Sequence, residues 1–171
     1  KIIDSGVRVL KIEGRARSPE YVKTVTSCYN EALHAIADGT YDIQKIENWK
    51  ERLKKVFNRG FWDGYYLGRR LGDWSTINGS QSTQKKIYVG KGINYFSKIG
   101  VAEFLIEAED LHTGDKIIIT GPTTGVINAY VSEIRVDQKI TDVARKGERC
   151  SFRVNELIRR SDKLYKVVLP V

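Results

Sequence analysis

The sequence predicts an α+β fold: a short N-terminal strand and two helices, followed by a small antiparallel β-barrel. Three observations carry this expectation. Apolar residues recur at helical spacing between residues 19 and 57, the mark of amphipathic helices. The polar, turn-rich stretch Asn78-Gly79-Ser80-Gln81-Ser82-Thr83-Gln84 then interrupts any period. From Lys85 onward, short β-type runs alternate with glycine-containing turns.

Residues 7–12 read as a short strand with Val7, Val9 and Ile12 as its apolar positions. The charged run from Lys11 to Arg17 follows. Ser18-Pro19-Glu20 then opens a helix: serine suits the N-cap, proline the first helical position, and glutamate the positive end of the helix dipole. Val22, Val25, Tyr29, Leu33 and Ile36 make its stripe, Cys28 flanks that stripe as a core thiol, and Gly39 provides the C-terminal cap. A second helix fits residues 43–57, capped by Asp42, with Ile46, Trp49, Leu53, Val56 and Phe57 apolar and Glu51 one turn before Lys55. Asn58-Arg59-Gly60 ends it. Four aromatics, Phe61, Trp62, Tyr65 and Tyr66, then sit among glycines that recur every four residues.

Candidate strands cover residues 86–96, 101–108, 115–120, 126–136, 138–141, 149–154 and 164–168. A small sheet of this kind favours a barrel, because closure removes exposed edges. The boundaries therefore fall at residues 1–74 for the strand and helices, 75–84 for a linker and 85–171 for the β-barrel.

With 41 % hydrophobic residues and a mean hydropathy of -0.37, the composition is that of a soluble globular chain. No window approaches the roughly 18 apolar residues of a membrane span, and a cytoplasmic location is expected. The chain opens on Lys1 and has no methionine, so a piece of a longer protein is expected. Its two cysteines, Cys28 and Cys150, are far apart and lack metal-ligand spacing, so reduced thiols are expected, with no metal site and no cofactor in this chain.

The net charge is +8 and the pI about 9.5, which attracts polyanions. Residues 145–166 concentrate this charge, with eight basic and three acidic residues. Candidate phosphate contacts are Arg149, Arg153, Arg159, Arg160, Lys163 and Lys166, with Lys85, Lys86 and Lys91 as a second group. A solvated charged face is the plain alternative. Asn94-Tyr95-Phe96, Tyr88 and Phe104 offer stacking surfaces for bases or serve as core. Gly121-Pro122-Thr123-Thr124-Gly125 lacks the ending of a phosphate loop and reads as a strand-connecting turn. His34 and His112 fit no catalytic triad by spacing. Lys11, Glu13, Arg15 and Arg17 lie between a strand and a helix start, where α/β barrels place working residues. A salt-bridged strand end at a domain junction explains them equally well.

Three segments carry a family resemblance. They are Gly6 to Arg15 running into Ser18-Pro19-Glu20-Tyr21-Val22; Phe57-Asn58-Arg59-Gly60-Phe61 with Asp63-Gly64-Tyr65; and Gly114-Asp115 through the residue 121–125 turn to Arg159-Arg160-Ser161-Asp162-Lys163-Leu164-Tyr165. Together they resemble the end of the catalytic domain and the C-terminal domain of peptidase family 32 of the U type, the collagenase-like family.

The resemblance implies a TIM-type catalytic barrel upstream, of which residues 7–12 would be the last strand. It also implies a C-terminal barrel similar to domain two of elongation factor Tu. Some members of the family are tRNA or ribosomal RNA hydroxylases, and the branch with this C-terminal barrel resembles the tRNA uridine 5-hydroxylating members. The implied role is a non-catalytic accessory domain that holds tRNA or another RNA beside the upstream catalytic domain. Protein-substrate binding for a collagenase-like protease, through aromatics such as Trp62, Tyr65, Tyr66 and Trp74, is the alternative. A purely structural or dimerising barrel is a further one. Any iron–sulfur cluster would lie upstream. Glu13, Arg15 and Arg17 become active-site candidates of the parent enzyme, the two arginines pairing a carboxylate substrate such as prephenate.

Overall fold

A computed structural model describes residues 2–61 and 80–169. The chain divides into two compact units, Lys1–Ser82 and Thr83–Val171. The aromatic positions 62, 65, 66 and 74, and residues 75–79 of the expected linker, lie outside the described residues.

The first unit is built on a helical hairpin, α1 (Pro19–Ala37) and α2 (Ile43–Lys54). Pro19 opens α1 as expected. Ser18 occupies the N-cap in extended conformation, but its side chain makes no cap bond; its carbonyl instead accepts from the Tyr21 and Val22 N–H groups. At the other end Gly39 takes φ +67°, its N–H bonds Ile36 O at 3.2 Å and Thr40 N–H bonds Ala35 O at 2.8 Å. That pair of bonds is a Schellman closure, and the positive φ is why a glycine stands there.

Asp42 caps α2, its Oδ1 accepting from Lys45 N at 2.8 Å. The helix ends at Lys54, a turn before the expected Phe57. The cause is local competition: Asn58 Nδ2 donates to Lys54 O and Val56 O, and Ser82 Oγ to Lys55 O. Glu51 pairs with Lys54 at 2.6 Å, on the near side of the expected Lys55.

Cys28, Ala35 and Trp49 form the hairpin core, with Ala32, Ile46 and Leu53 packed on it. Glu31 locks the two helices, accepting from Trp49 Nε1 at 3.0 Å and from both Arg52 Nη atoms at 2.5 and 2.8 Å. The Arg52 hydrogen bond holds the Glu31 carboxyl below its ordinary range.

The expected strand over residues 7–12 is not formed. A strand persists only against a neighbour's ladder, and among the described residues no segment pairs with it. Val9 is 82 % exposed.

The second unit is a curled antiparallel sheet. Its strands are β1 (Lys85–Phe96), β2 (Val101–Ile106), β3 (Leu111–His112), β4 (Lys116–Gly121), β5 (Gly125–Tyr130), β6 (Ile134–Val136), β7 (Lys139–Thr141), β8 (Val143–Ala144), β9 (Arg149–Arg153) and β10 (Lys163–Val168). Eight of them form one sheet in the order β5-β4-β10-β1-β2-β9-β6-β7, and β3 with β8 makes a separate ribbon.

One core gathers residues from nearly every strand, including Val89, Phe104, Ile106, Leu111, Ile119, Ile127, Ile134, Phe152 and Leu164. A flat sheet could not bring β5 and β6 side chains into one cluster, so the sheet rolls into a barrel-like wall. Phe104 and Phe152 stack inside it, with centroids 4.9 Å apart.

The expected continuous strand over 126–136 breaks in two. Val131 N–H bonds Asp115 O, and Val131 O accepts from Gly114 N. The chain then leaves β4 and takes β9 as its new partner through Arg135↔Ser151. The short β3 and β8 were not expected, since two-residue strands leave no period to read. No helix among the described residues is long and apolar enough to cross a membrane.

Candidate nucleic-acid interface

The ladder registers place the basic residues that the sequence only enumerates. Lys91 pairs with Lys163 on β10 and with Leu105 on β2, and Leu105 pairs with Arg149 on β9. Directly opposed residues of antiparallel strands share a face. The neighbouring row, Leu164, Gly90 and Ile106, is buried, so the Lys163–Lys91–Leu105–Arg149 row points outward.

A second outward row is Asn94, Glu103, Ser151 and Arg135. A third is Phe96, Val101 and Arg153. Lys91 and Arg149 are two strand spacings apart, about 10 Å, and Arg149 and Arg153 are about 13 Å apart along β9.

The close pairing of β1 with β2 beneath these rows depends on Gly90. A Cβ there would sit 1.9 Å from Leu105 O, so any side chain would part β1 from β2.

The cations differ in how they are held. Lys91 pairs with Glu107 at 2.6 Å, and Glu107 also accepts from Tyr88 Oη at 2.5 Å. Lys91 first and Tyr88 second hold the Glu107 carboxyl below its ordinary range. Burial, with the Glu107 bond behind it, pushes the Tyr88 phenol up to about 12. Lys86 Nζ lies 4.6 Å from the Tyr165 ring centroid. Lys85, Arg149, Arg153, Arg160 and Lys163 are exposed.

Lys166 is different. Alternation from outward Lys163 turns it to the core side, where it pairs with Ile117 across the ladder. Its side chain is only 16 % exposed and binds Glu109 at 3.3 Å and Asp110 O at 3.1 Å. The strand period starting from Leu164 contains this distinction.

Arg159 and Arg160 lie on the loop before β10, and Asp162 fastens that loop. The Asp162 side chain is buried, and its Oδ2 accepts from Thr124 Oγ1 at 2.6 Å and from Arg159 N at 2.7 Å. Its backbone O accepts from Gly92 N at 2.7 Å. Arg159 Nη1 returns to Thr124 at 3.1 Å. The turn at residues 121–125 therefore connects β4 to β5, as expected, and also anchors the basic loop. Composition alone hides Asp162, because Thr124, the partner that ties it to the turn, lies 38 residues away.

Glu13, Arg15 and Arg17 are exposed on the segment before α1. Glu13 Oε1 accepts from Arg15 N at 2.6 Å, closing a local turn. The Arg17 guanidinium lies 4.1 Å from the Phe57 ring centroid and 5.7 Å from that of Tyr21. His112 Nδ1 is 3.9 Å from Asp115, whose Oδ2 already accepts from His112 N, so the pair shapes a turn. Cys28 and Cys150 are free and buried, and burial pushes the Cys150 thiol up to about 12. Among the described residues no group of three or more His, Cys, Asp and Glu side chains is placed to hold a metal ion.

Comparison with known proteins places the chain in a family. Residues 1–76 match the family described as Peptidase family U32. The chain is 61 % identical over 97 % of its length to a protein named "Collagenase" from Porphyromonas gingivalis, covering 40 % of that protein. It is 27 % identical over 71 % of its length to "tRNA hydroxylation protein P1" from Bacillus subtilis, covering 29 % of that protein. Among solved structures, the C-terminal domain of a Geobacillus thermoleovorans U32 peptidase aligns with 46 % of this chain and 90 % of that domain, at 18 % identity and a TM-score of 0.44. The chain belongs to peptidase family U32. It spans less than half the length of the relatives it matches.

Proposed function

We propose that the β-unit is a non-catalytic module that holds RNA, tRNA first among candidates, for a larger U32-family enzyme. The observation that carries this reading is the outward row of Lys163, Lys91 and Arg149, with Arg153 two positions along the same face of β9 from Ser151. Cations spaced over a sheet of this kind meet a phosphate backbone without reading its sequence. The similarity to a tRNA hydroxylation protein over much of the chain supports the same ligand class. Arg159 and Arg160 extend the basic surface along the loop that Asp162 holds.

The test is fluorescence anisotropy of labelled tRNA with this chain at low salt. Binding that weakens on Arg149→Ala and Arg153→Ala supports the reading. No binding at low salt refutes it.

The collagenase name of a 61 % identical relative favours a second reading, a protein-substrate module for a protease. Gelatin binding that survives Arg149→Ala, in a chain that ignores tRNA, would select it. In either case Glu13 and Arg15, exposed on the segment before α1, are proposed to serve the longer enzyme. Substituting Arg15 there should cost activity more than stability.

A further inference from the structure

The outer face carries an aromatic as well as cations. Of the aromatics on β1 and β2, Phe104 is buried against Phe152, and Tyr95 turns inward with its Oη on Val154 O at 3.0 Å. Tyr88 is held by Glu107 and lies edge-on to Tyr165. Phe96 remains: it is 44 % exposed, at the end of β1, in the outward row that continues through Val101 to Arg153.

An apolar ring costs free energy in water, and this one lies outside the buried core cluster. Its neighbours on the same face are Asn94 and Arg153, a hydrogen-bonding amide and a cation about 10 Å away across two strand spacings. A ring lying on a sheet beside cations is the arrangement that receives a nucleobase while the adjoining phosphates meet the charges. A duplex keeps its bases stacked inside and presents only its backbone to such a face.

From this juxtaposition we infer that the face takes unpaired nucleotides, a base stacking on Phe96 and the flanking phosphates meeting Arg153 and then Arg149. The inference deepens the RNA reading above and rests on it. The substrate class is a single-stranded segment or loop of RNA, with little preference for sequence, because every base offers a π-face.

The test compares two labelled probes on the whole chain: an unstructured single-stranded RNA and an RNA duplex of equal length. Phe96→Ala should weaken single-strand binding by about 5-fold or more and leave duplex binding unchanged. Phe96→Trp should retain single-strand affinity. Phe96→Leu, which keeps an apolar side chain but removes the ring, should behave like the alanine variant. Circular dichroism establishes that each variant is folded. Equal loss on both probes, or no loss on either, overturns the inference while leaving phosphate binding by Arg149 and Arg153 intact. Failure of the unmodified chain to bind either probe overturns both readings.

Discussion

The fastening of the basic loop gives a prediction that can be worked out in full. Asp162 accepts two hydrogen bonds on one carboxylate oxygen, from Thr124 Oγ1 and Arg159 N. Hydrogen bonds to a charged group contribute about 1.5–3 kcal/mol each. Asp162→Ala should therefore cost about 3–6 kcal/mol, a large part of the roughly 5–15 kcal/mol by which a domain is stable. Gly121→Ala should cost a similar amount for the same reason. A Cβ at Gly121 would lie 1.7 Å from Asp162 Oδ1 and so must expel the carboxylate.

Because both substitutions break the same bonds, the double variant should be no worse than Asp162→Ala alone. Once the carboxylate is gone, the added methyl has room. The assay is urea unfolding of all four proteins followed by far-UV circular dichroism. Residues 83–171 contain no tryptophan, so circular dichroism rather than tryptophan emission is the readout for the β-unit. Additive losses in the double variant would refute the reasoning, since Gly121 and Asp162 would then act through separate contacts.

The remaining predictions are local. Glu31→Gln should lower the stability of the helical hairpin at neutral pH by no more than about 1 kcal/mol, because the Glu31–Arg52 pair is largely solvated. The Glu31 carboxyl is held below its ordinary value, so its contribution is present above the ordinary carboxylate pKa and fades as pH falls through the lowered one. Thermal melts of the two proteins should converge in acid. Cys28 and Cys150 are buried and their thiols are raised by burial. A thiol-colouring reagent at neutral pH should label neither until denaturant is added. Arg17→Ala should remove its stacking on Phe57 and destabilise the first unit by about 0.5–1 kcal/mol, measurable by urea titration of tryptophan emission.

What could be read from the sequence follows the range of the forces involved. Pro19, Gly39 and Asp42 were legible because helix ends are set by residues within one turn. The core place of Cys28 follows from periodicity, whereas the sequence leaves Phe104 open between a core place and a base-stacking surface. The strand expected over residues 7–12 depends on a ladder partner that local pattern cannot supply, and the break after Tyr130 depends on distant partners, Asp115 and Gly114 for Val131 and then Ser151 for Arg135. The same holds for the site. The charges were visible as a list, and strand alternation already separates Lys166 from Lys163, but register aligns Lys163, Lys91 and Arg149, and tertiary hydrogen bonds reveal Asp162 as the anchor of the loop.

The central claim is that the outer face of the β-unit binds RNA through its cations. It is tested most directly by the salt dependence of tRNA binding to this chain. Four contacts, from Lys91, Lys163, Arg149 and Arg153, should give a slope of log K against log salt of about -3, at about 0.7 per single-strand phosphate. That amounts to a loss of roughly 50-fold between about 50 and 200 mM salt. Each of Arg149→Ala and Arg153→Ala should make the slope shallower by about 0.7. A slope near zero, or one that these substitutions leave unchanged, would contradict the account.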